Sequence, residues 1–542
     1  MTDNRGKRGQ QQCAIVPSNV RRSHGSQLAT GAFGPEVAGD GSPYEPLALP
    51  DRTEAATDKA NIKMNAGHRD RFDLALTTSS AEAATHYVEG LDLLLEQSFG
   101  SEARLEDAIA ADEGFALPHI SLAYLRMGIA DGSDRVVANR ARELARNATA
   151  RERAHVEAIW LFVHGHGTRA RTAMHAHLDR FPRDAMILRA VNRLYTLGCS
   201  GAGVKDFPSV YFPLLKSLAP SYGDDWAFLS HYAFAHHEVG LFSEALALAE
   251  RSLAQRPTSG HAAHSIAHAH FEQGNAGSGS DFLGGWLQSY DRRSPFNVHL
   301  SWHQALFELA LGRYDEAVEL YREAIGPTVE QRDPGTLADS ASLMWRMRLY
   351  GRAEPALDTG LIRDQAEVAI DTPGPAFRDA HAALAFAATG DMASIKRMKQ
   401  RLNRQAEAGE ALHRDMTLPL VDGIAHFTAG DYTAAIACLE PVMPQLVRIG
   451  GSHAQREVFE DTLVEALVRG GHYPRAMAAL EERLARRPSV RDRFWLARVK
   501  AEAGDADSAH ALLEDVARNW QLADPDSPEA GALNDLMAAV AV

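Results

Sequence analysis

Four stretches of this sequence nearly superimpose: VGLFSEALALAERSL (239–253), LGRYDEAVELYREAI (311–325), AGDYTAAIACLEPVM (429–443) and GGHYPRAMAALEERL (470–484). Each has a glycine, one residue, an aromatic side chain, and an alanine three positions after the aromatic. In the second, Tyr314, Ala317, Leu320, Tyr321 and Ala324 fall on one helix face. In the third, Tyr432, Ala435, Cys438, Leu439 and Val442 do the same. Small alanines let a neighbouring helix come close, and the glycine ends the preceding helix, where a left-handed residue is needed. Gly240, Gly274, Gly312, Gly351, Gly390, Gly430, Gly471 and Gly504 repeat the mark at intervals of 33 to 41 residues; Gly128 and Gly165 extend it backwards. Such a period fits one helical hairpin per unit, near the tetratricopeptide spacing of about 34 residues. The expected fold is all-α: an α-solenoid of about nine or ten tetratricopeptide-like hairpins, each burying its stripe against the next.

Composition agrees. Hydrophobic residues are 45% of the chain and aromatics only 7%, with abundant alanine and leucine, a mixture that favours helices over strands. Residues 1–68 are rich in Gly, Pro, Ser, Gln and Asn without a sustained period, and are expected to be a disordered tail; the solenoid is expected over 69–542. Ser79 and Glu82 read as a capping box at its first helix. The net charge of −15 opposes a nucleic-acid partner. No run reaches the length of a membrane span, and Cys13, Cys199 and Cys438 are isolated, which fits a reducing, cytoplasmic setting.

Segments RIGGSHAQREVFEDTLVEALVRGG (448–471), TLADSASLMWRMRLYG (336–351), FRDAHAALAFAATGD (377–391) and HAAHSIAHAHFEQGN (261–275), with HLSWHQALFELALGRYDEA (299–317), keep one order along the chain. In these the chain resembles the tetratricopeptide repeat protein 38 family, from about residue 74 to about residue 500. The resemblance implies an all-helical repeat fold and no particular activity. The family's pattern after 264 usually reads His-Ala-Leu-Ala-His-Val. Here Ser265, Ile266 and Ala269 depart from it, while His264 and His268 keep their spacing.

Nine of the 24 histidines fall within residues 231–303. At about 100° per residue, His261, His264, His268 and Glu272 share an arc of about 80° on one helix face, and His270 points the other way. The next first helix offers His299 and His303 beside Trp302; the one before offers His231 and Glu238 on one face, with His236 and His237 elsewhere. First helices of such hairpins line the concave side, so these groups should converge.

Three chemistries fit. Imidazoles spaced by four can chelate a divalent metal, with His264, His268, His299 and His303 as ligands and Glu272 or Glu238 as ligand or base. A histidine beside a carboxylate can act as a general base, and Asp379 with His381, Asp339 or His453 could join it. The third is a scaffold with no required cofactor. It binds a protein, peptide or small ligand in a histidine-rich groove of His231, Glu238, His261, His264, His268, Glu272, His299, Trp302, His303, Trp345, Asp379 and His381. That last reading leads, with a pH response near 6–7; a metal-dependent enzyme using the same histidines is the alternative. Two further expectations concern GNAGSGSDFLGG (274–285), read as a long flexible turn, and the basic stretch 481–500, read as a solvated helix face.

Overall fold

Antiparallel helix pairs follow one another along the chain in the computed structural model, which describes residues 67–127, 132–198, 200–352, 357–371 and 374–540. The expected tail lies outside these residues except for Gly67 and His68, as do Gly128, Cys13 and Cys199. Twelve pairs run from Ala81–Glu96 with Ser101–Ala111 to Val490–Glu502 with Ala506–Asn519, and Pro528–Val540 ends the array. Two of them lie outside the glycine ladder: the first, and Ala185–Gly198 with Pro208–Tyr222, whose connection is too long for the short glycine turn. Among the described residues the only strands are His68–Arg69 and Ala75–Leu76, a two-residue antiparallel ribbon.

The marks read from sequence have the physical roles their chemistry suggests. Gly165, Gly240, Gly274, Gly312, Gly351, Gly390, Gly430, Gly471 and Gly504 all hold φ between 69° and 99°. Only glycine enters that region without strain. The repeat alanines Ala245, Ala317, Ala435 and Ala476 are each 0% exposed. Ser452 and Gln455 form a reciprocal capping box. At the first helix the cap is Ser80, which accepts from the Ala83 amide, rather than Ser79.

Residues 274–285 are not a flexible turn. Ala276–Leu287 is a helix, and one of its glycines, Gly279, is small for a packing reason. A Cβ on Gly279 would sit 2.4 Å from the Phe307 ring of the next hairpin. The low helix propensity of glycine is overridden by contact that only a bare backbone allows.

Nor is 481–500 a solvated face. Arg483, Arg487 and Arg491 are buried and ion-paired: Arg483 with Glu457, Asp461 and Asp492, Arg487 with Glu457, and Arg491 with Glu529. These residues meet the earlier part of the array, because the superhelix turns back on itself. Arg491 donates to the Leu309 carbonyl at 3.2 Å, Trp520 Nε1 to the Ala310 carbonyl at 2.9 Å, and the Gly451 amide to the Thr196 carbonyl at 2.7 Å. Late and early repeats therefore touch across the array.

The apolar core has two main bodies, one from Phe72 to Ala235 and one from Ala267 to Leu533, with a small cluster of Ala233, Ala249 and Ile266 between them. The helix Gly260–Glu272 lies at that seam and buries every residue except His270.

Two of the four glycines of Ala276–Leu287 should respond oppositely to alanine. Gly277 is exposed with open space around it, so Gly277→Ala should stabilise by about 0.5–1 kcal/mol. Gly279→Ala drives a methyl into Phe307 and should cost about 1–3 kcal/mol. Urea unfolding midpoints of the two variants check this.

Candidate functional site

Three consecutive first helices, Trp226–Glu238, Gly260–Glu272 and Asn297–Ala310, bring the predicted histidines together. Spacing by four places His264 above His268 on the middle helix and His299 above His303 on the next. His264 Nε2 lies 3.0 Å from His268 Nε2 and 3.1 Å from His299 Nε2. The His303 ring centre is 5.0 Å from that of His264, 4.5 Å from that of His268 and 4.7 Å from that of His299. His268 and His303 are 0% exposed. His299 Nδ1 faces the Asp339 carboxylate at 3.1 and 3.3 Å, an arrangement that fixes the ring and turns Nε2 inward. Phe234 stacks on His264 and Trp302 on His299, making an apolar wall.

Other histidines ring this core. His231 and His261 pack 4.2 Å apart. His237, placed elsewhere by the helical wheel of its own segment, packs on His268 at 4.5 Å. It also approaches Glu238 at 3.4 Å and Glu272 at 3.8 Å. Glu272 accepts from His453 Nδ1 at 2.8 Å across 181 residues of sequence.

Four predicted groove residues, Trp302, Trp345, Asp379 and His381, do not line the cleft that the cluster borders. Trp302 and Trp345 are 0% and 1% exposed; their indole N–H groups donate to the hydroxyls of Ser342 and Thr462. They are core, and offer no contact area to a ligand. Asp379 is buried against Arg401 at 2.8 Å, and His381 Nδ1 sits 2.7 Å from the Phe377 carbonyl. Both face the interior of the following hairpins, because first helices here are covered on both sides.

Protonation follows from burial. Burial first, then the neighbouring histidines, holds His264, His268 and His303 well below the usual imidazole value. Burial and then His261 do the same to His231; burial and Arg189 bring His261 down to about 3. All five are neutral at pH 7, so the pH response expected near 6–7 does not come from them. His237 differs: burial acts to lower it, but Glu238 and Glu272 outweigh burial and raise it. Burial likewise acts to raise Glu272, but His453 and His237 carry it well below the usual carboxylate range.

A cleft of about 870 Å³, mouth included, opens onto this cluster. His261, His264 and His299 form one wall; Arg189, Asn192 and Arg193 form the other. Phe296, Phe377 and Gln455 contribute from further repeats. Arg189 and Arg193 escaped the reading of the sequence. Their only signal is two arginines four residues apart in the apolar segment AMILRAVNRLYTLG (185–198). Arg189 is tied to Asn192 Oδ1 at 3.0 Å, and Arg193 donates to the Tyr124 carbonyl at 3.0 Å.

Among the described residues a second group has metal-like spacing: His155, His177 and Asp184. There the Asp184 Oδ2 atom lies 2.9 Å from His155 Nδ1, His177 Nε2 and Arg151 Nη1. A guanidinium already neutralises that carboxylate, and the group reads as a structural hub tying three helices.

No known family profile matches the chain. Solved structures that resemble it are helical-repeat proteins. Human IFIT1, as a dimer with m7Gppp-AAAA, is 14% identical, covering 80% of this chain and 95% of its own, with a TM-score of 0.38. A tetratricopeptide repeat protein from Parabacteroides merdae is 12% identical over 59% of this chain and 100% of its own, at 0.28. Yeast Tom70 is 12% identical over 84% and 95%, at 0.25. The chain's own helix pairs make it a tetratricopeptide-like helical scaffold. No helix among the described residues is long and apolar enough to cross a membrane.

The Glu272 pair gives a pH test. Glu272 is depressed when folded, so its contribution is present above its unfolded value of 4.5 and lost as pH falls below it. His237 is raised, so its contribution is full below 6.5 and lost as pH rises through its folded value. Glu272→Gln should therefore cost most, about 3–5 kcal/mol, between those two values and less on either side. Chemical denaturation of both proteins at a series of pH values would show a flat difference if the pair contributes nothing.

Proposed function

We propose that this helical scaffold binds a small anionic molecule in the cleft between Arg189 and Arg193 on one wall and His261, His264 and His299 on the other. We also infer membership of the tetratricopeptide repeat protein 38 family, on the ordered segments quoted above, and a cytoplasmic setting, on the dispersed cysteines. The observation that carries the ligand reading is the closure of the superhelix. The cleft takes its lining from residues as far apart in sequence as Arg189 and Gln455, so side chains of several repeats face one small ligand there. Both arginines are buried, and a pair of guanidinium groups at the cleft favours a carboxylate or phosphate over a neutral or cationic ligand.

Thermal unfolding with citrate, inorganic phosphate and a neutral control such as glycerol tests this. At least one anion at about ten times its Kd should stabilise the protein by about 1.4 kcal/mol, read as a rise in Tm of a few degrees. Arg189→Gln should remove that rise while leaving the melting curve of the free protein cooperative. No stabilisation by any anion, or an equal rise in Arg189→Gln, would sink the reading.

A further inference from the structure

We infer that His264, His299 and His303 hold a divalent first-row transition cation such as Zn²⁺. The inference stands on the donor set and does not depend on an anion occupying the cleft. One ring nitrogen from each of His264, His299 and His303 can be chosen so that all three lie within 4.8 Å of one another. Nitrogen ligands of a tetrahedral zinc ion stand about 3.3 Å apart, given metal–nitrogen bonds of 2.0–2.1 Å. The contacts at 3.0 and 3.1 Å around His264 Nε2 are near that separation.

No arrangement of protons gives both contacts a straight hydrogen bond. His264 Nε2 has a single in-plane position, holding either a lone pair or an N–H, yet two imidazole nitrogens address it. If it donates to one, the other meets an N–H or a misdirected lone pair. If it accepts from one, the other has nothing left to donate to. Adding a proton to any ring moves the problem without removing it. His303 is completely buried, and neither of its nitrogens has a partner. Buried polar groups left in that state are rare. A cation accepting several lone pairs at once resolves the conflict.

The surroundings suit an ion. Asp339 on His299 Nδ1 is the carboxylate–histidine arrangement that orients a ligating ring and supplies negative charge behind it. Phe234, Phe296 and Trp302 form a dry shell around the rings. Neutral imidazoles select Zn²⁺, Co²⁺, Ni²⁺ or Cu²⁺ over the oxygen-seeking Mg²⁺ and Ca²⁺.

The test uses the full chain purified without a polyhistidine tag, stripped with a chelator and titrated with Co²⁺, then Zn²⁺, with Mg²⁺ as control. The expected result is one Co²⁺ per chain with the intense visible bands of a tetrahedral site, displaced by Zn²⁺ and unaffected by Mg²⁺. His264→Gln and His303→Gln should lose stoichiometric binding. Asp339→Asn should keep the helical signal and weaken binding about 10–100-fold. Absence of stoichiometric Co²⁺ binding by the unmodified chain overturns the inference. So does unchanged affinity in a folded His264→Gln or His303→Gln. If the histidine variants fail to fold, Asp339→Asn decides, and unchanged affinity there overturns it. Failure of the anion test above with metal binding intact would remove the ligand reading and leave the metal site standing.

Discussion

Neighbouring helices lie close because each hairpin presents alanine where the next must approach. Ala245, Ala317, Ala435 and Ala476 have no accessible surface, and Gly279 goes further by offering bare backbone to Phe307. Close approach leaves first helices covered on both flanks. Any polar side chain on them is cut off from water and must be satisfied inside. That single constraint explains why the histidines of Gly260–Glu272 and Asn297–Ala310 point at one another and at Asp339, and why burial keeps the innermost of them neutral.

Closure of the superhelix supplies the second layer of the design. Successive hairpins touch as in any solenoid, but residues about 450–530 return to contact the turns and helix ends near 196, 272 and 310. The return pairs Glu272 with His453 and buries Arg483, Arg487 and Arg491 among carboxylates. The histidine cluster occupies the seam between the two apolar bodies of the core. A polar cluster placed there is held from several repeats at once, which gives it the rigidity a ligand or metal site needs.

Much of this was legible in the residues. Left-handed glycines at regular intervals, the Ser452–Gln455 cap and the shared arc of His261, His264, His268 and Glu272 are local, and local rules read them correctly. His237 was misplaced because its partners, His268 and Glu272, belong to another helix. Trp302 and Trp345 read as groove residues, but packing against other helices buries them, with their indoles bonded to Ser342 and Thr462. Arg189 and Arg193 gave little warning, since an arginine in an apolar helix looks alike whether it faces solvent, a carboxylate or a cleft.

The amino-acid order alone determined most of the helix pairs, their glycine turns and the shared face of His261, His264, His268 and Glu272, because those depend on neighbours within about one helical turn and on the backbone freedom of glycine. Tertiary structure decided which faces meet. The curvature of the array accumulates from small rotations at every hairpin contact. Only that sum brings Arg189, His264, Asp339 and Gln455 around one cleft.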